Sequence, residues 1–503
     1  MDPVQTHVAE RGDTPALLLD DRVVTWRELD ARGNQAARAL AGQGVSAGDR
    51  VAIALRNSIE FYEIVVGAGR LGATVMPVSF RLLRDEVEYL VDDAHARIVI
   101  AEPDNRDVFA GLPDTIFGGD EYEDWLGAES ATRLTDQVGT ALAPLRFYTA
   151  GTTGRPKAVI RTPHPSEHPE RHAAALRAAQ AVFDVRLSPV SQPGEVHLVA
   201  GVVYHTAPGG YSTMALTWGH TLVIMDHFDA EEALRLVERH RVTWTQMAPI
   251  HLVRIVGLPD EVKQQYDLSS LKRLLHAGAP CPVDVKWKTL ELFPGDVVHE
   301  YYAATEGYAT ECPAADWTRK PGTVGRPAPG ITIRILDDDG NEVPAGEVGL
   351  VYIDNGSRFE YEGAPEQTAD TWRGDEFSVG DMGYIDDEGY LFLTDRASHM
   401  IISGGANIYP AEVENVLFGH PDVADVSVIG VPDDEYGEQV KAVVETRREV
   451  SDTELLAFCR ERLAGYKCPK SVDFVDELPR DPNGKIRKST LRDPYWEGRA
   501  TRI

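Results

Sequence analysis

Short apolar runs alternate with longer amphipathic stretches along the first hundred residues. Val51-Ala-Ile-Ala-Leu55 is uninterrupted and short, as a buried strand requires, and residues 60–73 repeat apolar positions at helical spacing. The pair recurs as a strand at 73–78, a helix at 84–91 and a strand at 97–101. Upstream, Thr25-Trp-Arg-Glu28 has the reciprocal capping pattern, and Leu29, Gly33, Ala36, Ala37 and Leu40 follow at helical intervals until Gly44. The rhythm returns at 221–247, with a strand at 221–225, a helix capped by Asp229 and running through His240, and a strand at 242–247. Such alternation predicts crossover units and a largely parallel sheet covered on both faces.

From about Val324 the segments shorten. Ile331–Leu336, Gly349–Ile353 and Tyr390–Leu393 are β-like runs separated by Gly turns and the acidic turn Asp337-Asp-Asp-Gly340, which predicts a small antiparallel or barrel-like unit. From about Ala397 the chain alternates again: strand 400–403, helix from Pro410, strands 426–431 and 440–446, helix 452–463, strand 471–475. The expected class is α/β. A large N-terminal domain (1–396) of α/β sheets would carry a β-rich subdomain (about 324–395), followed by a small mobile α+β domain (397–503).

Composition narrows the field. A hydrophobic content of 43% with 26% charged residues is that of an ordinary soluble protein. Eighty acidic against fifty basic residues give a formal charge of −30, which disfavours nucleic acid and anionic membranes as partners. Cys281, Cys312, Cys459 and Cys468 are widely spaced, so neither a zinc site nor a disulfide framework is indicated. No run is long enough to span a bilayer and no leader pattern follows Met1, so a cytoplasmic location is expected.

The chemistry centres on Phe147-Tyr-Thr-Ala-Gly-Thr-Thr-Gly-Arg-Pro-Lys157. Thr149, Gly151, Thr152, Thr153 and Gly154 offer hydroxyl and backbone N–H donors on a chain free to turn sharply, and Lys157 adds a point charge. That set suits a phosphate, although the spacing is not that of the usual nucleotide loop, and Pro156 blocks continuation into a helix. Taken alone, it is equally a Gly/Thr-rich turn. Four further motifs accompany it: His276-Ala-Gly278-Ala279-Pro280, Tyr301-Tyr302-Ala-Ala-Thr305-Glu306-Gly307, Ser378-Val-Gly-Asp381 with Thr394-Asp-Arg396, and Leu478-Pro-Arg-Asp-Pro-Asn-Gly-Lys485.

Together, in this order, these segments resemble the AMP-forming adenylating enzymes: acyl-CoA synthetases, peptide-synthetase adenylation domains and luciferases. The likeness covers about residues 15–495. Two departures stand in the phosphate loop, Ala150 where serine is common and Ala158 where glycine is common.

The resemblance implies ATP, Mg²⁺ and, for an acyl-CoA synthetase, coenzyme A. It makes Glu306 the Mg²⁺ ligand, Thr305 a phosphate contact and Tyr302 a face for adenine beside Gly278, Ala279 and Pro280. It sets Asp381 and Arg396 on the ribose, lines the pantetheine channel with Gly404 and Gly405, and puts the hinge near Ser398. Lys485 becomes the cation that bridges substrate carboxylate and α-phosphate, with Lys488 as a solvated neighbour. His205 borders the substrate channel and either gates the two half-reactions or is packed in the core.

The implied activity is formation of an acyl-adenylate from a small carboxylate with release of pyrophosphate, then transfer to coenzyme A. The alternative keeps the adenylation and changes the anion or acceptor, as in loading of a carrier protein or activation of nitrite for an arylamine. A homodimer is compatible with either. His164, His168 and His172 sit at four-residue steps that would suit a metal on a helix. Prolines 163, 165 and 169 argue instead for a polar loop.

Overall fold

The expected parallel sheet forms the centre of the molecule. The computed structural model describes residues 2–497 except 113, 135–138, 140–141, 150–155, 163–181, 184–185, 338, 397–398, 404–405, 434–435 and 481–484. Among the described residues a nine-stranded sheet runs in the order Arg326–Pro327, Thr310–Pro313, Val298–Glu300, Arg273–His276, Trp244–Met247, Val196–Val199, Thr221–Ile224, Pro15–Leu19, Arg22–Thr25. Neighbours are parallel from Val298–Glu300 to Pro15–Leu19, and antiparallel strands close both ends. Trp244–Met247 and Arg273–His276 are buried at every position, as strands covered on both faces must be.

A second, four-stranded parallel sheet holds Thr74–Pro77, Arg50–Ala54, Ile98–Ala101 and Thr115–Phe117. The first three are the strands of the N-terminal rhythm, each within a residue or two of its expected bounds; Thr115–Phe117 was not anticipated. The helix Trp26–Gly42 starts at the anticipated cap. The Thr25 hydroxyl accepts from the Glu28 N–H while the Glu28 carboxylate accepts from the Thr25 N–H at 2.8 Å. Its buried stripe of Leu29, Ala36, Ala37 and Leu40 packs on the helix Ile59–Leu71, which is apolar enough to be buried nearly all round.

The β-rich region is an antiparallel sheet of Thr332–Leu336, Gly349–Asp354, Trp372–Arg373, Glu376–Phe377, Asp381–Ile385 and Leu391–Arg396. One strand of this stretch leaves it: Arg358–Tyr361 pairs with Lys157–Thr162, which pairs in turn with Tyr148–Thr149. The Glu362 carboxylate fixes the crossing. It meets Arg50 at 2.6 Å and Arg146 at 3.1 Å, so one acidic side chain ties this small sheet to the four-stranded one. After Ile401 a further sheet of Ala406–Ile408, Ile401–Ser403, Gly437–Thr446, Val423–Asp433 and Ser471–Val475 carries the helices Pro410–Phe418 and Asp452–Arg460. It has its own core of Ile401, Val413, Leu417, Val428, Val440 and Leu455.

Several helices were not anticipated by the periodicity, and two of them border the site. Thr206–Trp218 contains Pro208, Gly209 and Gly210 in its first turns, and it is nearly as apolar on its outer as on its inner side. Its sequence therefore lacks the amphipathic signature, and burial in the core supplies the stability that propensity withholds. Val283–Leu292 places a lysine, Lys286, on its buried side, which breaks the apolar period. No helix among the described residues is long and apolar enough to cross a membrane. All four cysteines are free thiols.

Candidate adenylation site

The strands Tyr148–Thr149 and Lys157–Thr162 pair with Thr149 opposite Lys157, so the glycine/threonine loop departs and returns at one point. Ala150, Gly151, Thr152, Thr153 and Gly154 themselves lie outside the described residues. Lys157 is turned toward the helix Arg84–Asp93. Its ammonium lies 3.2 Å from Asp93, which also accepts from the Tyr148 hydroxyl at 2.9 Å. Hydrogen bonding to Tyr89, and then to Asp93, raises the Lys157 pKa.

Where the strand Arg273–His276 ends, Gly278 takes a φ of +96°, a conformation that disfavours side chains, and Ala279 and Pro280 continue the turn. His276 beneath it is fully buried with Lys286 against its Nε2, and the Lys286 ammonium lies 3.2 Å from Glu300. Burial, then the adjacent ammonium, holds His276 far below its usual pKa, so it is a neutral acceptor for Lys286. Burial raises Glu300, and Lys286 works against that rise.

The next strand, Val298–Glu300, runs into Tyr301 and Tyr302. Ala304 and Gly307 exchange backbone hydrogen bonds of 2.9 and 3.2 Å, which folds Thr305 and Glu306 into a tight turn rather than a helix start. A Cβ on Gly307 would run into the Asn355 amide, so a side chain there would have to displace that amide from its bond to the Tyr308 carbonyl. The Thr305 carbonyl accepts two bonds from the Arg161 guanidinium, at 3.0 and 2.6 Å, and its hydroxyl is 3.0 Å from that of Thr206. The Tyr361 hydroxyl donates to Glu306 Oε1 at 2.7 Å. The Tyr302 hydroxyl donates to Asp381 Oδ2 at 2.5 Å. Asp381 and Arg396 are register partners on adjacent antiparallel strands.

His205 occupies the cap position of the helix Thr206–Trp218, its ring 4.5 Å from that of Tyr204. The turn before it is fixed by Asn57, whose amide donates to Gly201 and Met225 carbonyls at 2.9 and 2.8 Å and accepts from the Val203 N–H at 2.9 Å.

A single cavity of about 2370 Å³ gathers most of these groups. His205, Gly278, Ala279, Pro280, Tyr302, Thr305, Glu306, Asp381 and Lys485 all line it, although the chain spreads them over 280 positions. Lys157 is not among the described residues that line it, and Gly404, Gly405 and Ser398 lie outside the described residues, as do His164, His168 and His172. Lys488 departs from expectation. It is no solvated neighbour: its side chain is 13% exposed, lines the cavity and pairs with Glu414 at 2.9 Å.

Sequence reasoning missed Arg161, Asn57 and Tyr361. Arg161 and Tyr361 belong to the paired strands Lys157–Thr162 and Arg358–Tyr361, and no local pattern announces that pairing across two hundred residues. Beyond the residues just named, the cavity continues past Met214 and Trp218 to Phe228 and His251, whose rings stack at 4.2 Å. Glu306 and Thr305 present oxygen donors only, which suits a hard cation such as magnesium. As a single carboxylate, Glu306 would leave the other positions to phosphate and water.

The AMP-binding enzyme family matches residues 4–359, and the AMP-binding enzyme C-terminal domain matches residues 412–485. The chain is 32% identical to a fatty acid–[acyl-carrier-protein] ligase, ScoC of Streptomyces coeruleorubidus, over 99% of its own length and 96% of that protein. It is 35% identical to a feruloyl-CoA synthase of an Amycolatopsis species, over 93% of each. Among solved structures, ATP-bound MatB from Rhodopseudomonas palustris superposes with a TM-score of 0.82 at 28% identity, covering 99% of both chains. The same protein without ligand superposes less well, at 0.71.

Proposed function

This chain belongs to the AMP-binding enzyme family, and on that footing we propose a two-step ligation at the cavity described above. It is an AMP-forming ligase that activates a carboxylate with ATP, releases pyrophosphate and passes the acyl group to coenzyme A. The observation that carries the reading is the convergence of Tyr302, Thr305, Glu306, Asp381 and Lys485 on one cavity from three separate stretches of sequence.

Each residue has chemistry suited to a place in the first step. The adenine would lie between the flat Gly278-Ala279-Pro280 turn and the Tyr302 ring. The Asp381 carboxylate, an acceptor-only group, would take the ribose hydroxyls, with Tyr302 orienting it through their 2.5 Å bond. Thr305 would contact the α-phosphate, its turn braced by Arg161 and Thr206. Glu306, held by Tyr361, would receive magnesium. Magnesium, when bound, neutralises charge on the phosphate oxygens.

Lys485 would act where charge builds. As the carboxylate attacks the α-phosphorus, negative charge accumulates on the phosphoryl oxygens, and an ammonium placed between the reacting groups stabilises it. Pyrophosphate then leaves and a mixed anhydride remains, which is reactive enough for a thiol to displace AMP. The likeness to ATP-bound MatB, greater than to its ligand-free form, supports reading the present arrangement of Lys485 as that of the first step. Residues 397–503 would then turn about the stretch between Arg396 and Ile401 for the second, removing Lys485 from the cavity.

The test is pyrophosphate release with Mg·ATP across a panel of fatty acids, aryl acids and nitrite, followed by AMP release with coenzyme A or a phosphopantetheinylated carrier protein. Pyrophosphate with carboxylates and AMP release that depends on coenzyme A supports the proposal. Release with nitrite alone, or with no member of the panel, overturns it.

A further inference from the structure

Two ion pairs flank Lys485, one on each side, and both are anchored on the core of the C-terminal sheet. On the incoming side the Arg480 guanidinium is paired with Asp425, on the strand Val423–Asp433. On the outgoing side the Lys488 ammonium meets Glu414, on the helix Pro410–Phe418, at 2.9 Å. Both acids are themselves fixed by backbone donors. The Val426 N–H donates to Asp425 and the Val428 N–H to Glu414, each at 2.8 Å.

The backbone reinforces the pattern. Arg480 and Ile486 form an antiparallel bridge, and the Arg487 N–H donates to the Pro479 carbonyl at 2.7 Å, so the two sides of the Lys485 stretch are drawn together. Leu478, 1% exposed, roots it among Ile429, Val431 and Val443, with Ile486 packed against them. Asp425, Glu414, Arg480 and Lys488 all line the same cavity as Lys485, whereas Lys485 itself is exposed.

A lysine carries four rotatable bonds, and the reach of its ammonium is set first by where its backbone is held. The pairs are only partly exposed, with side-chain values of 19% and 12% for Arg480 and Asp425, and 13% and 20% for Lys488 and Glu414. They are screened less than pairs in open solvent. We infer that Glu414 and Asp425 are positioning residues for the adenylating step: through Lys488 and Arg480 they clamp the backbone on both sides of Lys485 and set where its ammonium stands. The inference rests on the reading of Lys485 as the cation of that step. It implies that removing the clamp harms the first half-reaction and spares the second, from which Lys485 is withdrawn.

The full chain with Glu414→Gln, Asp425→Asn and both tests this in two measurements. The first needs no substrate: hydrogen exchange of the 478–488 region, read by mass spectrometry, is expected to quicken about tenfold or more in the double variant while residues 437–446 keep their protection. The second uses octanoate and ferulate as probes. Pyrophosphate release is expected to fall about 10- to 100-fold, as misplacement of a reacting group does, whereas coenzyme A thioester formation from the pre-made octanoyl- or feruloyl-adenylate changes little. Pairing Glu414→Lys with Lys488→Glu is expected to restore much of the exchange protection that Glu414→Lys loses.

Unchanged exchange at 478–488 overturns the clamp, as does an equal loss in both half-reactions, which a general weakening of the domain would give. Lys485→Ala separates the premise from the inference. Near-normal pyrophosphate release in that variant removes the role of Lys485, while the exchange data still decide whether Glu414 and Asp425 hold its backbone.

Discussion

The hydroxyl of Tyr361 donates to the carboxylate of Glu306 at 2.7 Å, joining the Thr-Glu turn to a strand that has left the β-rich sheet to pair with Lys157–Thr162. The residue expected to meet magnesium is thus oriented by a side chain fifty-five positions away. Tyr361→Phe keeps the ring and removes the donor. A hydrogen bond to a charged group contributes about 1.5–3 kcal/mol, so the variant should lose about tenfold in pyrophosphate release at limiting magnesium and recover as magnesium is raised. A titration of rate against magnesium checks this.

Asp381→Ala removes the proposed ribose acceptor and the partner of Tyr302. Loss of two such bonds should raise the KM for ATP by about tenfold or more, with a smaller change in kcat. Tyr302→Phe, which keeps the ring and only frees Asp381, should raise it less. Steady-state kinetics with ATP as the varied substrate distinguishes the two.

Lys485→Ala should abolish pyrophosphate release while leaving ATP binding nearly intact, because an interaction made in the transition state affects rate and not ground-state affinity. Calorimetric titration with ATP, set beside the rate, is the measurement.

How much of this was legible in the sequence divides along a physical line. Local patterns carried the strands Arg50–Ala54, Thr74–Pro77, Ile98–Ala101, Thr221–Ile224 and Trp244–Met247, the Thr25–Glu28 cap and the motifs, because periodicity and capping are properties of neighbouring residues. Asn57, Arg161 and Tyr361 were not legible, since each acts on a partner that only tertiary pairing brings near. The helix Thr206–Trp218 was missed because Pro208 and two glycines hide it. Lys488 was misread because the sequence does not reveal Glu414 beside it.

The buried Lys286 offers a stability test. It is fully buried between His276 and Glu300, and breaking such a pair costs about 3–5 kcal/mol because the remaining charge is left without its partner. Lys286→Met should lower the denaturation midpoint markedly, and adding Glu300→Gln should return part of the loss. Urea denaturation of the three proteins decides it.

Acid sensitivity follows from imidazoles that desolvation holds neutral, His197, His220 and His251 among them. Burial lowers His197 and His251 to about 3 and His220 to about 4. The unfolded chain, with ordinary histidines near 6.5, therefore binds more protons than the folded one between about pH 6.5 and those values. The stability these groups contribute is complete above about pH 6.5 and is lost as pH falls through that window. Urea midpoints measured from pH 8 to pH 5 should be flat at the upper end and decline below about 6.5.

The size of the central cavity bears on the fate of the reactive anhydride. At about 2370 Å³ it exceeds the roughly 300–1,000 Å³ usual for a small-molecule pocket, and its lining extends from Tyr302 and Asp381 to the stacked Phe228 and His251. An intermediate made there can meet its acceptor in the same cavity, which is itself partly open to solvent. AMP formed in the absence of any acceptor thus becomes a leak rate, and that rate reports how well the walls keep hydrolysis out.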